Sequence, residues 1–239
     1  MPYLSWISDA DIEIEVQKIL DTAKIATEKA NIEFNKNVID PFSILFEMAG
    51  FNITSVEAWE KGEKNRQSQK TLSNAFGTFH QGVLGRVSGW RDLGTGESAD
   101  IESKNNKIIA EIKNKFNTVK GSDLVNTYDH LESLVMPITS KYRGFTAYCA
   151  EIIPKPKAGK PQKYNIPLTP SDKATKTRRP DNEKIRRIDG GSFYDLVTGQ
   201  SNALEDMYLQ LPKIIQKIAP VKFKESDIFA MQKYFKKAF

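Results

Sequence analysis

The chain has 239 residues, 39% of them hydrophobic and 27% charged, with 35 Lys and Arg against 30 Asp and Glu. That length supplies core material for one large domain or two small ones. A lone cysteine, Cys149, excludes an internal disulfide framework and a cysteine-rich zinc site, and with only His80 and His130 as histidines any metal falls to oxygen ligands. No apolar run approaches the ~20 residues of a bilayer span, and the acidic start MPYLSWISDADIEIE is unlike a signal peptide, so a soluble cytoplasmic protein is expected.

In chain order, the first thirty or so residues predict an amphipathic helix capped by Ser8, with Asp11 in its first turn and Ile12, Val16, Ile19 and Ala23 along one face. Asp40-Pro41 starts a second helix that stops at Gly50. From Ser55 to about Leu84 the pattern is helical again, with a break expected at Gly62 and a core-facing stripe of Leu72, Phe76, Phe79 and Val83. His80, beside that stripe, reads as a packed histidine rather than a catalytic one. Residues 85–90 read as a short first strand. Ser98–Glu102 and Lys107–Lys113 read as a β-hairpin whose turn holds Asn105 and Asn106, residues that tolerate left-handed conformations. A helix over Ser122–Leu134 follows, capped by Ser122 or Asp123, and then a buried strand in RGFTAYCAEII. After Pro154 a Pro- and Lys-rich surface loop begins. Residues 186–197 fit a strand pair or a strand–helix junction, and the tail from Asn202 is helical with an interruption at Pro212.

The chemistry concentrates in the hairpin. Alternation along Lys107–Lys113 puts Ile108, Ala110 and Ile112 on one face and Ile109, Glu111 and Lys113 on the other. The partner strand brings Asp100 opposite Glu111 or one step away. Two converging carboxylates suit a hard cation such as Mg2+, with Mn2+ as a substitute and the Ile112 carbonyl as a further ligand. Such a site can cleave a phosphodiester, with Lys113 acting on the attacking water or on the phosphate. Acid-x-Lys alone is common in so charged a chain: Glu102-Ser103-Lys104 repeats it in the turn. The competing reading is an exposed hairpin with a Glu–Lys surface pair.

With these residues in place, the chain resembles the PD-(D/E)XK nuclease superfamily, Asp100 matching its first acid and Glu111-Ile112-Lys113 its second half-motif. The run GWRDLGTGESADIESKNNKIIAEIKNKFNTVKGSDLVNTYDHLESL is similar to type II restriction endonucleases that cut at GGNCC, as are DPFSILFE and KTLSNAFGTFHQGVLG. Ala99 stands where that family usually writes proline. The resemblance implies an α/β (α+β) fold: a restriction-endonuclease-like core with a mixed sheet flanked by helices and helical additions at both termini. It implies one domain over 1–239, made of a helical part (1–64), a catalytic core (65–153) and a basic C-terminal part (154–239). It further implies a homodimer on palindromic double-stranded DNA and a cognate DNA methyltransferase as functional partner.

Charge distribution agrees with a nucleic-acid partner. Residues 1–64 carry six lysines against twelve acids, whereas 155–187 carry eleven Lys and Arg against three acids. Within the block, Arg178, Arg179, Arg186 and Arg187 are candidates for bidentate contacts to guanine, and Lys155, Lys157, Lys160 and Lys163 for phosphate contacts. Asn114, Lys115, Asn117 and Thr118, just after the motif, suit phosphate or base-edge contacts. The alternative is a solvated loop of ordinary lysines. Three functions stay open at this point: a site-specific DNA endonuclease, a repair or structure-selective nuclease of the same fold, and a non-catalytic DNA-binding protein. A G-x-x-x-x-G-K-[S/T] loop is absent, against built-in ATP-driven translocation.

Overall fold

Ser8 opens the chain's first helix, its hydroxyl accepting from the Asp11 N–H at 3.1 Å. In this computed structural model all residues are described except 37, 95, 117–120, 161 and 173–174, together with the side chains of 35, 121 and 122. The chain forms two compact units, residues 16–79 and residues 1–15 with 80–239.

The unit of residues 16–79 is helical. It contains most of α1 (Asp9–Ile32), all of α2 (Pro41–Gly50) and most of α3 (Val56–Gly85). Asp40 caps α2 through the Phe42 N–H, with Pro41 in the first turn. Ala26, Ala30, Phe34 and Trp59 are buried here, and the Trp59 indole donates to Glu47 at 2.8 Å. Phe42, Leu45 and Phe46 of α2 are exposed.

In the other unit a six-stranded mixed sheet is built from β1 (Arg91–Asp92), β2 (Ile101–Ser103), β3 (Ile108–Lys115), β4 (Thr146–Ile153), β5 (Asn165–Pro167) and β8 (Ile185–Asp189), in the order β1-β2-β3-β4-β8-β5. β6 (Ser171–Asp172) and β7 (Thr177–Arg178) pair separately. The strands β1, β2 and β3 form an antiparallel meander, β3, β4 and β8 run parallel, and β5 is antiparallel to β8. Helix α4 (Gly121–Val135) lies between β3 and β4 in the chain, as a parallel pair requires. Its Tyr128 and Leu131 pack with Ile109, Ala147, Cys149 and Ile185 on one sheet face. On the opposite face, Phe193 of α5 (Gly190–Thr198) meets Tyr148 of β4 at 6.1 Å between ring centroids. Helices α6 (Ala203–Ile218) and α7 (Glu225–Ala238) complete the unit. Six consecutive residues of β4 are buried, as expected of a central parallel strand covered on both faces. Gly85 lets the end of α3 touch β1: a Cβ there would lie 2.5 Å from Asp92 Cβ.

Several expectations are corrected. Helix α3 runs through Gly62 without a break, because one glycine costs only about 1 kcal/mol in a helix interior. Phe76 is exposed rather than core-facing. Gly85 ends α3 and residues 86–90 are turns, with Arg86, Val87 and Trp90 N–H groups bonded to carbonyls three residues back, so the first strand is Arg91–Asp92. The left-handed position of the hairpin turn is Lys107, at φ 53°, not an asparagine. Helix α6 continues through Pro212, held to one face by buried Leu204 and Met207 before it and Ile214 after it. Residues 186–197 resolve as a strand–helix junction, where Asp189 caps α5.

Candidate active site

The second half of β3 carries the site. Ile101 lies opposite Ala110 and Glu102 opposite Ile109; one further step in that register sets Asp100 opposite Glu111. Glu111 and Lys113 share the α4 face with Ile109, as period-2 alternation predicts. The Ile112 N–H donates to Asp100 Oδ2 at 2.6 Å, locking the aspartate to β3. In a strand the N–H and C=O of one residue point to the same side, so the Ile112 carbonyl opens toward the edge that Asp100 occupies. Lys113 Nζ donates to Glu111 Oε2 at 3.1 Å. The three sequence-predicted residues therefore meet.

Electrostatics in the cluster are strained toward neutrality. Burial, reinforced by the charge of Glu111, pushes the Asp100 carboxyl up to about 6, against the opposing Ile112 N–H and Lys113 charge. Burial alone would pull Lys113 down, but the carboxylates of Glu111 and Asp100 outweigh it and hold the ammonium above its ordinary value. Cys149, opposite Glu111 on β4, is buried and pushed up to about 12, chiefly by burial, so its thiol is inert.

Supporting contacts come from residues around the three. Gln81 Nε2, in the last turns of α3, reaches Asp92 Oδ1 at 2.8 Å and the Asp100 carbonyl at 3.2 Å. His130 of α4 lies 2.7 Å from the Ser98 carbonyl and 4.0 Å from Glu111 Oε1. Glu102 is buried, takes bonds from Arg91 at 2.7 Å and Tyr142 at 2.9 Å, and is thereby tied up beside the site. His80 bonds Tyr194 at 2.7 Å and burial pulls it down to about 3, in agreement with a packed histidine.

The DNA-contact candidates fall in several places. Asn114 and Lys115 end β3, half-buried and exposed respectively, while Asn117 and Thr118 lie outside the described residues. Arg178 bonds Thr169 at 2.7 Å; Arg179 forks onto Asp129 with two 2.6 Å bonds; Arg186 engages Asn165 and Glu183; Arg187 donates to Glu151 at 2.6 Å. Lys155, Lys157, Lys160 and Lys163 are exposed, with 157 and 160 paired across a tight turn.

Two carboxylates and a carbonyl at the edge of β3 are a donor set for a hard divalent cation, which keeps several waters and needs few protein ligands. The raised carboxyl of Asp100 beside Glu111 is the mark of an acid pair that such a cation would relieve. Among the described residues no group of three or more His, Cys, Asp or Glu side chains could hold a metal, so a cation bound by this acid pair would draw its other ligands from backbone carbonyl and water. An acid pair and a lysine on one face of a mixed sheet flanked by helices agree with the expected restriction-endonuclease-like nuclease.

Comparison with known proteins narrows this. The family model for the Eco47II restriction endonuclease matches residues 4–220, and the chain belongs to that family. It is 47% identical over 218 residues to the type II restriction enzyme Eco47II of Escherichia coli, covering 91% of this chain and 89% of the relative. It is 30% identical over 214 residues to the type II restriction enzyme Sau96I of Staphylococcus aureus, covering 88% and 78%. No solved structure gives a significant match. The protein is a type II site-specific deoxyribonuclease. Among the described residues no helix is long and apolar enough to cross a membrane.

Proposed function

We propose that this enzyme cuts both strands of double-stranded DNA at a GGNCC-like palindrome, with Asp100, Glu111 and the Ile112 carbonyl as ligands for Mg2+ and Lys113 as the catalytic cation. The observation that carries the assignment is the Asp100–Ile112 bond at 2.6 Å beside the Glu111–Lys113 pair at 3.1 Å. Mg2+, or Mn2+ in its place, supplies polarisation of the phosphate and a bound water of lowered pKa. Asp100 is oriented for this by the Ile112 N–H, which fixes one carboxylate oxygen and leaves the other to face the site. Lys113 is held in its ammonium form by the two acids, so it donates. It orients the attacking water and offsets negative charge on the phosphate rather than removing a proton.

The likeness of residues 89–134 to GGNCC-cutting endonucleases supports the site sequence. Each chain carries one Asp100–Glu111–Lys113 cluster, so a homodimer across a two-fold site matches the two cuts a duplex requires. The exposed lysines 155, 157, 160 and 163 are assigned to phosphates. Asn114, Lys115, Asn117 and Thr118, next to the motif in sequence, are assigned to phosphate or base-edge contacts, and Arg178 stays a candidate for guanine. Arg179 and Arg186 are weaker candidates for guanine, since their forks are engaged by Asp129, Asn165 and Glu183. A cytoplasmic location and a methyltransferase that protects the host's own sites complete the reading. Incubation with plasmid and Mg2+ tests it: discrete bands support a site-specific nuclease, whereas smearing, or retardation without cleavage, contradicts it.

A further inference from the structure

β4 and β8 carry a second charged cluster on the sheet face of Glu111 and Lys113. Parallel register sets Glu151 beside Lys113, and sets Glu111, Cys149 and Arg187 in one row across three strands. Glu151 is 0% exposed. Its Oε2 accepts from the Tyr164 hydroxyl and from Arg187 Nη2, both at 2.6 Å. The Arg187 guanidinium also lies 5.2 Å from the centre of the Tyr164 ring. Among the described residues, Glu151 Oε1 and Arg187 Nε are buried with no hydrogen-bond partner. A buried ion pair with orphaned atoms is a poor stabilising device, since desolvation offsets most of its attraction. What the arrangement does achieve is to hold one guanidinium in a fixed place, clamped at an edge by Glu151 and on a face by Tyr164. The Arg187 side chain is still 29% exposed. It carries five N–H donors, of which the bond to Glu151 uses one.

We propose that Arg187 grips a backbone phosphate adjacent to the one being cut, and that Glu151 and Tyr164 are positioning residues that aim its guanidinium. The proposal rests on the nuclease reading above and departs from the sequence expectation that Arg187 reads a guanine. Arg187 lies in the row of Glu111, two strand spacings or roughly 10 Å away. Cys149 between them is buried against α4, but the Lys113 and Arg187 side chains are 30% and 29% exposed, so a DNA strand whose scissile phosphate meets Lys113 can reach the Arg187 guanidinium with its backbone, and a cation there meets phosphates before base edges. Its planar fork suits a phosphodiester, and its fixed position would set the register of the strand over the acids.

Binding in Ca2+ to a GGNCC duplex and to an unrelated duplex, at several salt concentrations, tests the assignment. Arg187→Ala should weaken both duplexes by the same factor, at least about fivefold, and make the salt dependence shallower by about one unit of slope. Loss on the GGNCC duplex alone would overturn the proposal in favour of base reading, and unchanged binding would overturn it in favour of a purely structural pair. Glu151→Gln discriminates by sign. If Glu151 were only a nearby negative charge, its removal would tighten binding to a polyanion; as a positioning residue its loss must weaken binding, and tighter binding overturns the role. Tyr164→Phe keeps the ring and removes the bond to Glu151, so it should weaken binding in the same direction, by less; unchanged or tighter binding by this variant overturns the positioning arm even where Glu151→Gln does not fold. Wild-type protein that neither binds nor cuts DNA refutes the nuclease reading itself, whereas a wild type that cuts beside an Arg187→Ala variant that binds normally refutes this proposal alone.

Discussion

Replacing Asp100 by Asn should stabilise the metal-free protein while ending cleavage. The Asp100 carboxyl stands at about 6 in the fold against an ordinary 3.8, through burial and the neighbouring Glu111. A raised carboxylate pKa means that the folded state binds the proton more tightly than the unfolded chain, so ionisation works against folding. The penalty is absent below pH 3.8, grows between 3.8 and 6, and is complete above 6. At about 1.4 kcal/mol per unit of pKa the ceiling is roughly 3 kcal/mol at pH 8, about half of that at pH 5 and nearly zero at pH 3.5. Water at the open side of the site screens part of this, so a gain of about 1–3 kcal/mol is expected. Asparagine keeps an oxygen acceptor for the Ile112 N–H, so that bond is not a competing loss. Denaturant unfolding in the presence of a chelator, for wild type and Asp100→Asn at pH 8 and pH 5, reads the difference directly. A variant no more stable than wild type at pH 8, or a difference that does not shrink toward acid pH, would refute the account of this acid pair.

Lys113→Ala should lower the cleavage rate by about 10²–10⁴ while leaving binding to the GGNCC duplex in Ca2+ nearly intact, and near-normal single-turnover cutting would contradict its role. Cleavage should require Mg2+ or Mn2+, with Ca2+ supporting binding only, so a chelated enzyme that still cuts would remove the metal from the account. Glu102→Gln should lose about 1–3 kcal/mol of stability, because it weakens the bonds to Arg91 and Tyr142, yet cut well once folded. A stable but inactive Glu102→Gln would move that acid into the metal shell. Lys160→Ala should weaken specific and non-specific binding alike and make the salt slope shallower by about one, as filter binding across a salt series would show.

The meeting of Asp100, Glu111 and Lys113 was legible because two local rules converge on it: alternation fixes which face of β3 bears Glu111 and Lys113, and a short hairpin fixes what stands opposite. Helices α1 and α2 were legible from caps and apolar spacing; α4 was legible from apolar spacing only, since it begins at Gly121 and Ser122 and Asp123 lie within its first turn rather than capping it. Strands β5, β6 and β7 were not, because segments of two or three residues carry no period. The Glu151–Arg187 pair joins residues 36 apart on β4 and β8, and the order of strands in the sheet, not the local pattern, makes them neighbours. His130 meets the Ser98 carbonyl 32 residues away through the packing of α4, which no motif encodes. The basic block showed its charge but not its partners: Asp129 takes both arms of Arg179, so an arginine chosen for its fork had that fork occupied.

Sequencing both ends of every fragment from a limit digest of DNA of known sequence, with Mg2+, is the most direct measurement. The account predicts that all ends fall at one palindrome of the GGNCC type, cut symmetrically on both strands, and that Asp100→Asn and Glu111→Gln yield no ends at all. Ends scattered over unrelated sequences, or the same ends from either carboxylate variant, would contradict it.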